Sequence, residues 1–142
     1  MARNRTPRGD APAFTTPPTS AELEALAQDA FLSVPEVLRA HCRDIVVRIE
    51  EFPEDDVLRD LELESPFDLL GLYDGVPVNH RSVQDLPRRP DMIFLYRVPL
   101  LCYWVETGED LSGLVRHVMI HEIGHHFGFS DDDMEELERQ AP

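Results

Sequence analysis

The spacing of apolar positions changes along the chain, and each change marks an element. Leu23, Leu26, Ala27, Ala30 and Phe31 recur at helical intervals behind Thr19 and Ser20, either of which can cap the helix, with Glu22 and Glu24 in its first turn. Val34-Pro35 interrupts the pattern, and Pro35 suits the first turn of a second helical piece through Val37, Leu38 and Cys42. The period then drops to two. Ile45, Val47 and Ile49 alternate with Val46, Arg48 and Glu50, which predicts a strand with one core face, ended by Phe52-Pro53. The acidic stretch Glu54 to Glu64, with Val57, Leu58, Leu61 and Leu63 interspersed, fits a short helix or a loop.

Leu69 to Tyr73 reads as a short strand entering a tight turn at Asp74-Gly75, with Val76-Pro77-Val78 leaving it and a loop over 79–90. Met92 to Arg97 is a second β-rich run, stopped by Pro99 and expected at an edge of the sheet. Glu109 to Phe127 is the strongest helix, with Thr107 and Asp110 as an Asp variant of a capping box and Gly128 at its end. Ser130 or Asp131 can start a last helix, Asp132 to Arg139. This order predicts a small α+β domain with helices packed against a mixed sheet.

At 142 residues the chain is long enough for one hydrophobic core and short for two. Residues 1–20 hold Pro7, Pro12, Pro17 and Pro18 with Phe14 as the one large apolar side chain, so they are expected to be a flexible tail ahead of a domain at 21–142. The longest apolar run, Val98 to Val105, is far below the roughly 20 residues of a membrane span. No apolar signal segment follows Arg3, Arg5 and Arg8, and the expected location is the cytoplasm. Cys42 and Cys102 are then reduced, packing thiols. The net charge of −15, with every basic residue an Arg, disfavours nucleic acid and anionic membranes as partners.

Chemistry concentrates in His121-Glu122-Ile123-Gly124-His125. On a helix, positions 121 and 125 lie about 40° apart, one turn from each other, so both imidazoles can reach one tetrahedral metal. Glu122 falls beside them, where a carboxylate can take a proton from a metal-activated water. Composition alone would produce this pattern roughly 0.02 times in such a chain. A catalytic zinc takes three protein ligands and leaves one position open. Gly128 turns the chain back, and Asp131 three residues later can supply an oxygen, extending the pattern to H-E-x-x-H-x-x-G-x-x-D. Asp131 could instead cap the last helix, with Glu135 or Glu138 as third ligand. Leu111, Leu114, Val115 and Val118 share the face of the motif, and Ile120, Ile123 and Phe127 cover the opposite side, as in a buried helix. His117 reads as a supporting residue, His126 points about 100° from His125, and His41 and His80 are isolated. Tyr103 and Trp104 belong to the core or the cleft, and Tyr73 or Tyr96 to the core or an oxyanion site.

His121-Glu122-Ile123-Gly124-His125-His126-Phe127-Gly128 with Asp131, together with Leu70-Gly71-Leu72-Tyr73, Gly75-Val76-Pro77, Pro90-Asp91 and Leu95-Tyr96-Arg97, resembles the small bacterial zincin-like metallopeptidases, or minimal metzincins. The resemblance spans about residues 34–137 and implies a compact zincin-type fold, Zn²⁺ held by His121, His125 and Asp131, and Glu122 as general base. Larger metzincins carry His where Asp131 stands here, and an anionic ligand leaves less net charge on the metal. The expected activity is hydrolysis of a peptide or protein substrate by a monomer, with an extended substrate adding along Met92 to Arg97. The alternative is a catalytically silent zinc-binding module acting through protein–protein contacts. Retained Glu122 separates the two, because structural zinc needs four closed ligands and no base.

Overall fold

The computed structural model describes residues 15–77 and 90–140. Among the described residues are six α-helices and a three-stranded sheet: α1 Ser20–Leu32, α2 Glu36–Arg39, β1 Val46–Glu50, α3 Asp55–Asp60, β2 Gly71–Asp74, β3 Met92–Tyr96, α4 Arg97–Thr107, α5 Leu111–Phe127 and α6 Asp131–Gln140. The α+β class expected from the sequence is the one observed. Val78 and residues 79–89 of the loop expected over 79–90 lie outside the described residues, as do residues 1–14.

Local signals account for most boundaries. Thr19 caps α1 through a full capping box, its hydroxyl accepting from Glu22 N–H while the Glu22 carboxylate accepts from Thr19 N–H. The α1 stripe Leu23, Leu26, Ala27 and Ala30 is buried against α5 and β1. Such a Leu cut back to Ala costs about 2–5 kcal/mol. The acidic stretch forms a helix only over Asp55–Asp60. Within the segment expected to be a tail, Pro18 is fully buried and its carbonyl accepts from Arg97 Nε at 2.8 Å, so order begins ahead of α1.

The sheet order is β1-β3-β2, with β1 parallel and β2 antiparallel to β3. This corrects the expectation for Met92 to Arg97: β3 is central, and β1 and β2 flank it. Ile93 and Leu95 point into the core with no exposed surface, which is why a strand of this composition takes the middle. Pro99 does not merely stop β3 but sits in the first turn of α4, where a missing N–H is harmless. The apolar run after it is helical. The capping box expected at Thr107 and Asp110 is also corrected: Thr107 ends α4, and Asp110 itself caps α5 by accepting from Gly113 N–H at 3.0 Å. No helix among the described residues is long and apolar enough to cross a membrane.

α5 runs across the inner face of the sheet, chiefly against β2. Gly71 makes that approach possible, since a Cβ there would sit 2.6 Å from Val118 Cγ1. Close contact of strand and helix at this point brings the backbone of β2 onto the His121–His125 turn of α5.

Candidate metal centre

His121 and His125 lie one turn apart on α5 with ring centroids 4.9 Å from each other. Both rings reach the surface, His125 with 46% of its side chain exposed, while Glu122 between them is buried. Glu122 Oε1 accepts from Tyr73 N–H of β2 at 3.0 Å and lies 3.2 Å from His125 Nδ1. A buried carboxylate is tolerable only when so satisfied. The contact engages Nδ1 of His125 and leaves Nε2 for a metal. It also raises the His125 pKa: the Glu122 hydrogen bond is the main cause, burial opposes it, and the charges of Glu122 and Asp131 add to it.

Beyond α5, Gly128 adopts the left-handed conformation, φ 71°, that a side chain would resist, and the chain reverses into α6. Ser130 and Asp133 cap α6 reciprocally, the Ser130 hydroxyl accepting from Asp133 N–H at 3.2 Å and the Asp133 carboxylate from Ser130 N–H at 3.1 Å. Asp131 is therefore not needed as the cap. It occupies the first turn of α6, exposed, with its charge felt at His125. Glu138, two turns on, accepts from His117 Nδ1 at 2.6 Å. α6 thus runs back along α5, with acidic side chains facing the His117, His121, His125 row.

The donor chemistry suits zinc: two imidazoles on one helical face, a carboxylate held between them and more carboxylates opposite. Yet no group of three His, Cys, Asp or Glu side chains converges tightly enough to hold a metal ion among the described residues. His121 and His125 are brought together with Glu122. Asp131 is brought to the same end of α5 without closing the set.

His126, placed off the metal axis by helical geometry, is the most buried of the charged and polar side chains among the described residues. Its Nε2–H donates to the His41 carbonyl at 3.0 Å, and Nδ1 meets the Tyr73 hydroxyl at 3.0 Å. Asp91 is nearby, Oδ2 3.6 Å from Nδ1. Tyr73 therefore ties α5 to β2 twice, through its hydroxyl to His126 and through its N–H to Glu122. It is more than a core residue, since its hydroxyl lies 3.0 Å from His126 Nδ1 and 3.2 Å from the Val76 carbonyl. The helical offset of His126 from the metal face pointed to this inward role; nothing local announced Tyr73, 49 residues from Glu122. Cys42 is buried, its thiol pushed up to about 11 by burial, and Cys102 is free as well. His80 lies outside the described residues.

A model of zincin-like metallopeptidases matches residues 42–141, from the end of the second helical piece to the end of α6. No curated protein matches the chain significantly. With most of its length covered, and with the paired histidines and held glutamate on a buried helix beneath a small sheet, the chain belongs to the zincin-like metallopeptidase family.

Proposed function

We propose that this protein is a zinc-dependent peptidase that acts as a monomer, with His121, His125 and Asp131 holding the metal and Glu122 moving the proton. Zinc, when bound, supplies the positive charge that polarises a scissile carbonyl and acidifies water. Family membership supports metal-dependent hydrolysis in general terms. The observation that carries the assignment of Glu122 is its fixed carboxylate, anchored on Tyr73 N–H at 3.0 Å and 3.2 Å from His125 Nδ1. Anchored in this way, Glu122 accepts a proton from the attacking water and returns it to the leaving amine nitrogen. β2, the flanking strand that packs most closely on α5, is where an extended substrate would pass Glu122, replacing the role expected for β3. A silent zinc module would have no use for a buried, oriented carboxylate beside two open imidazoles.

Glu122→Gln keeps shape and burial but removes the base. Turnover of a peptide library should fall about 10²–10⁴-fold while zinc content stays at the wild-type level. Equal turnover by the two proteins would remove Glu122 from the mechanism.

A further inference from the structure

The face of the sheet turned away from α5 carries a groove of about 530 Å³ between β3, the end of β1 and α3. Phe94 and Tyr96 form part of its floor, their rings parallel within 4° and 6.3 Å apart. Glu50, Glu54, Asp56 and Asp60 stand along its walls. Leu72 and Tyr73 of β2 close the remaining side, so the strand that anchors Glu122 on one face borders this groove on the other.

The carboxylates form no three-donor group among the described residues, and the aromatic and aliphatic side chains between them offer a metal ion no ligands. A longer cation with an apolar stem matches the groove better: its charged head meets carboxylates and aromatic faces, and its methylenes lie on Val57, Leu61 and Leu72. Tyr96 supplies a second, independent sign. Only 3% of this residue is exposed, it lines the groove, and its hydroxyl meets no hydrogen-bond partner among the described residues. The oxygen is not sealed from solvent, and as part of the groove lining it leaves an open hydroxyl for a ligand to meet. Burial, followed by the charges of Glu50, Asp74, Glu54 and Glu122, pushes this phenol up to about 12, so it remains neutral, with an oxygen able to accept from a guanidinium.

We propose that this groove is a substrate subsite for a basic side chain, with Tyr96, Glu50, Glu54 and Asp60 receiving an arginine of an extended peptide that passes β2. The subsite rests on the peptidase reading for its purpose but not for its affinity. Isothermal titration of the full zinc-loaded Glu122→Gln chain with a blocked arginine-containing pentapeptide and its uncharged citrulline counterpart tests it. The arginine peptide should bind at least about tenfold tighter, with the advantage shrinking as salt is added. Glu54→Gln with Asp60→Asn, both on the surface, should bring the two peptides within about twofold of each other. Glu24→Gln with Asp29→Asn on α1 removes the same charge elsewhere and should leave the preference in place. Equal affinity for the two peptides, or an equal loss in both double variants, would overturn the subsite. Persistent arginine preference with no cleavage by the wild-type chain would instead sink the peptidase assignment alone.

Discussion

α5 and α6 meet as a helical hairpin, yet they are held in opposite ways. α5 buries ten of its 17 residues and is packed on nearly every side. α6 buries Met134 alone and meets solvent with the three aspartates of its first turn. On α5 the position of each functional side chain follows from helical period and burial, so the two histidines and Glu122 fall together with no further help. On α6 the same chemistry depends on how one lightly anchored helix docks, and its carboxylates face the histidines without closing on them. Helices with few buried contacts sit at the low-stability end of a fold. One side of the candidate centre is thus deeply packed and the other lightly anchored.

Removing the proposed ligands should give the largest effect and tests that division directly. His125→Ala should lower zinc affinity by more than the roughly 10–100-fold that supporting groups contribute. Asp131→Ala should do the same, measured as zinc content after dialysis. If Asp131→Ala keeps its zinc and Glu135→Ala loses it, the third ligand lies one turn further along α6. Next in size is Gly124→Ala. Its Cβ would lie 2.6 Å from Met134 Cγ and 2.9 Å from Cε, so the contact that seats α6 on α5 must shift. Overpacking of this kind costs about 1–3 kcal/mol in chemical denaturation. The double variant with Met134→Ala should show a smaller loss than the sum of the single changes, and strict additivity would mean the two helices are not coupled there.

The same contrast explains what could be read from the sequence. The H-E-x-x-H spacing, the cap ahead of α1 and the alternation in β1 are local patterns, each decided within a few residues, and the structure contains all three. α4 was hidden because Pro99 looks like a strand stop, whereas in a first helical turn it costs nothing. The central place of β3 depends on pairing with strands that start 46 and 71 residues into the chain, and short-range patterning does not encode order in a sheet. Tyr73 is the sharpest case. Its role at Glu122 and His126 arises only because Gly71 lets β2 settle on Val118.

A smaller effect separates the two helices by pH. In the metal-free chain the His125 pKa is raised, chiefly by the Glu122 hydrogen bond. The stability contributed by protonated His125 is fully present below the ordinary histidine range and is lost as pH rises through the raised value. Zinc requires the neutral ring, so binding should release a proton and strengthen with pH up to that raised value, by at most about tenfold per unit for one competing proton. Calorimetry in buffers of different ionisation enthalpy counts the protons released. Zinc affinity flat across this range would show that His125 does not ligate through the titrating ring, and would shift attention to His121 and α6.

The smallest effect concerns the far end of the hairpin, where His117 Nδ1 and Glu138 Oε1 lie 2.6 Å apart with 56% and 34% of their side chains exposed. Pairs this open contribute about 0.2–1 kcal/mol in double-mutant cycles. His117→Ala, Glu138→Gln and the double variant should give a coupling within that range, weaker at high salt. Zinc content should hardly change in any of them if the pair merely pins α6. A Glu138→Gln variant that loses zinc as completely as His125→Ala would give this carboxylate to the metal, and His117 would then be its partner in reserve when zinc is absent. Either result locates the point along α6 where packing hands over to chemistry.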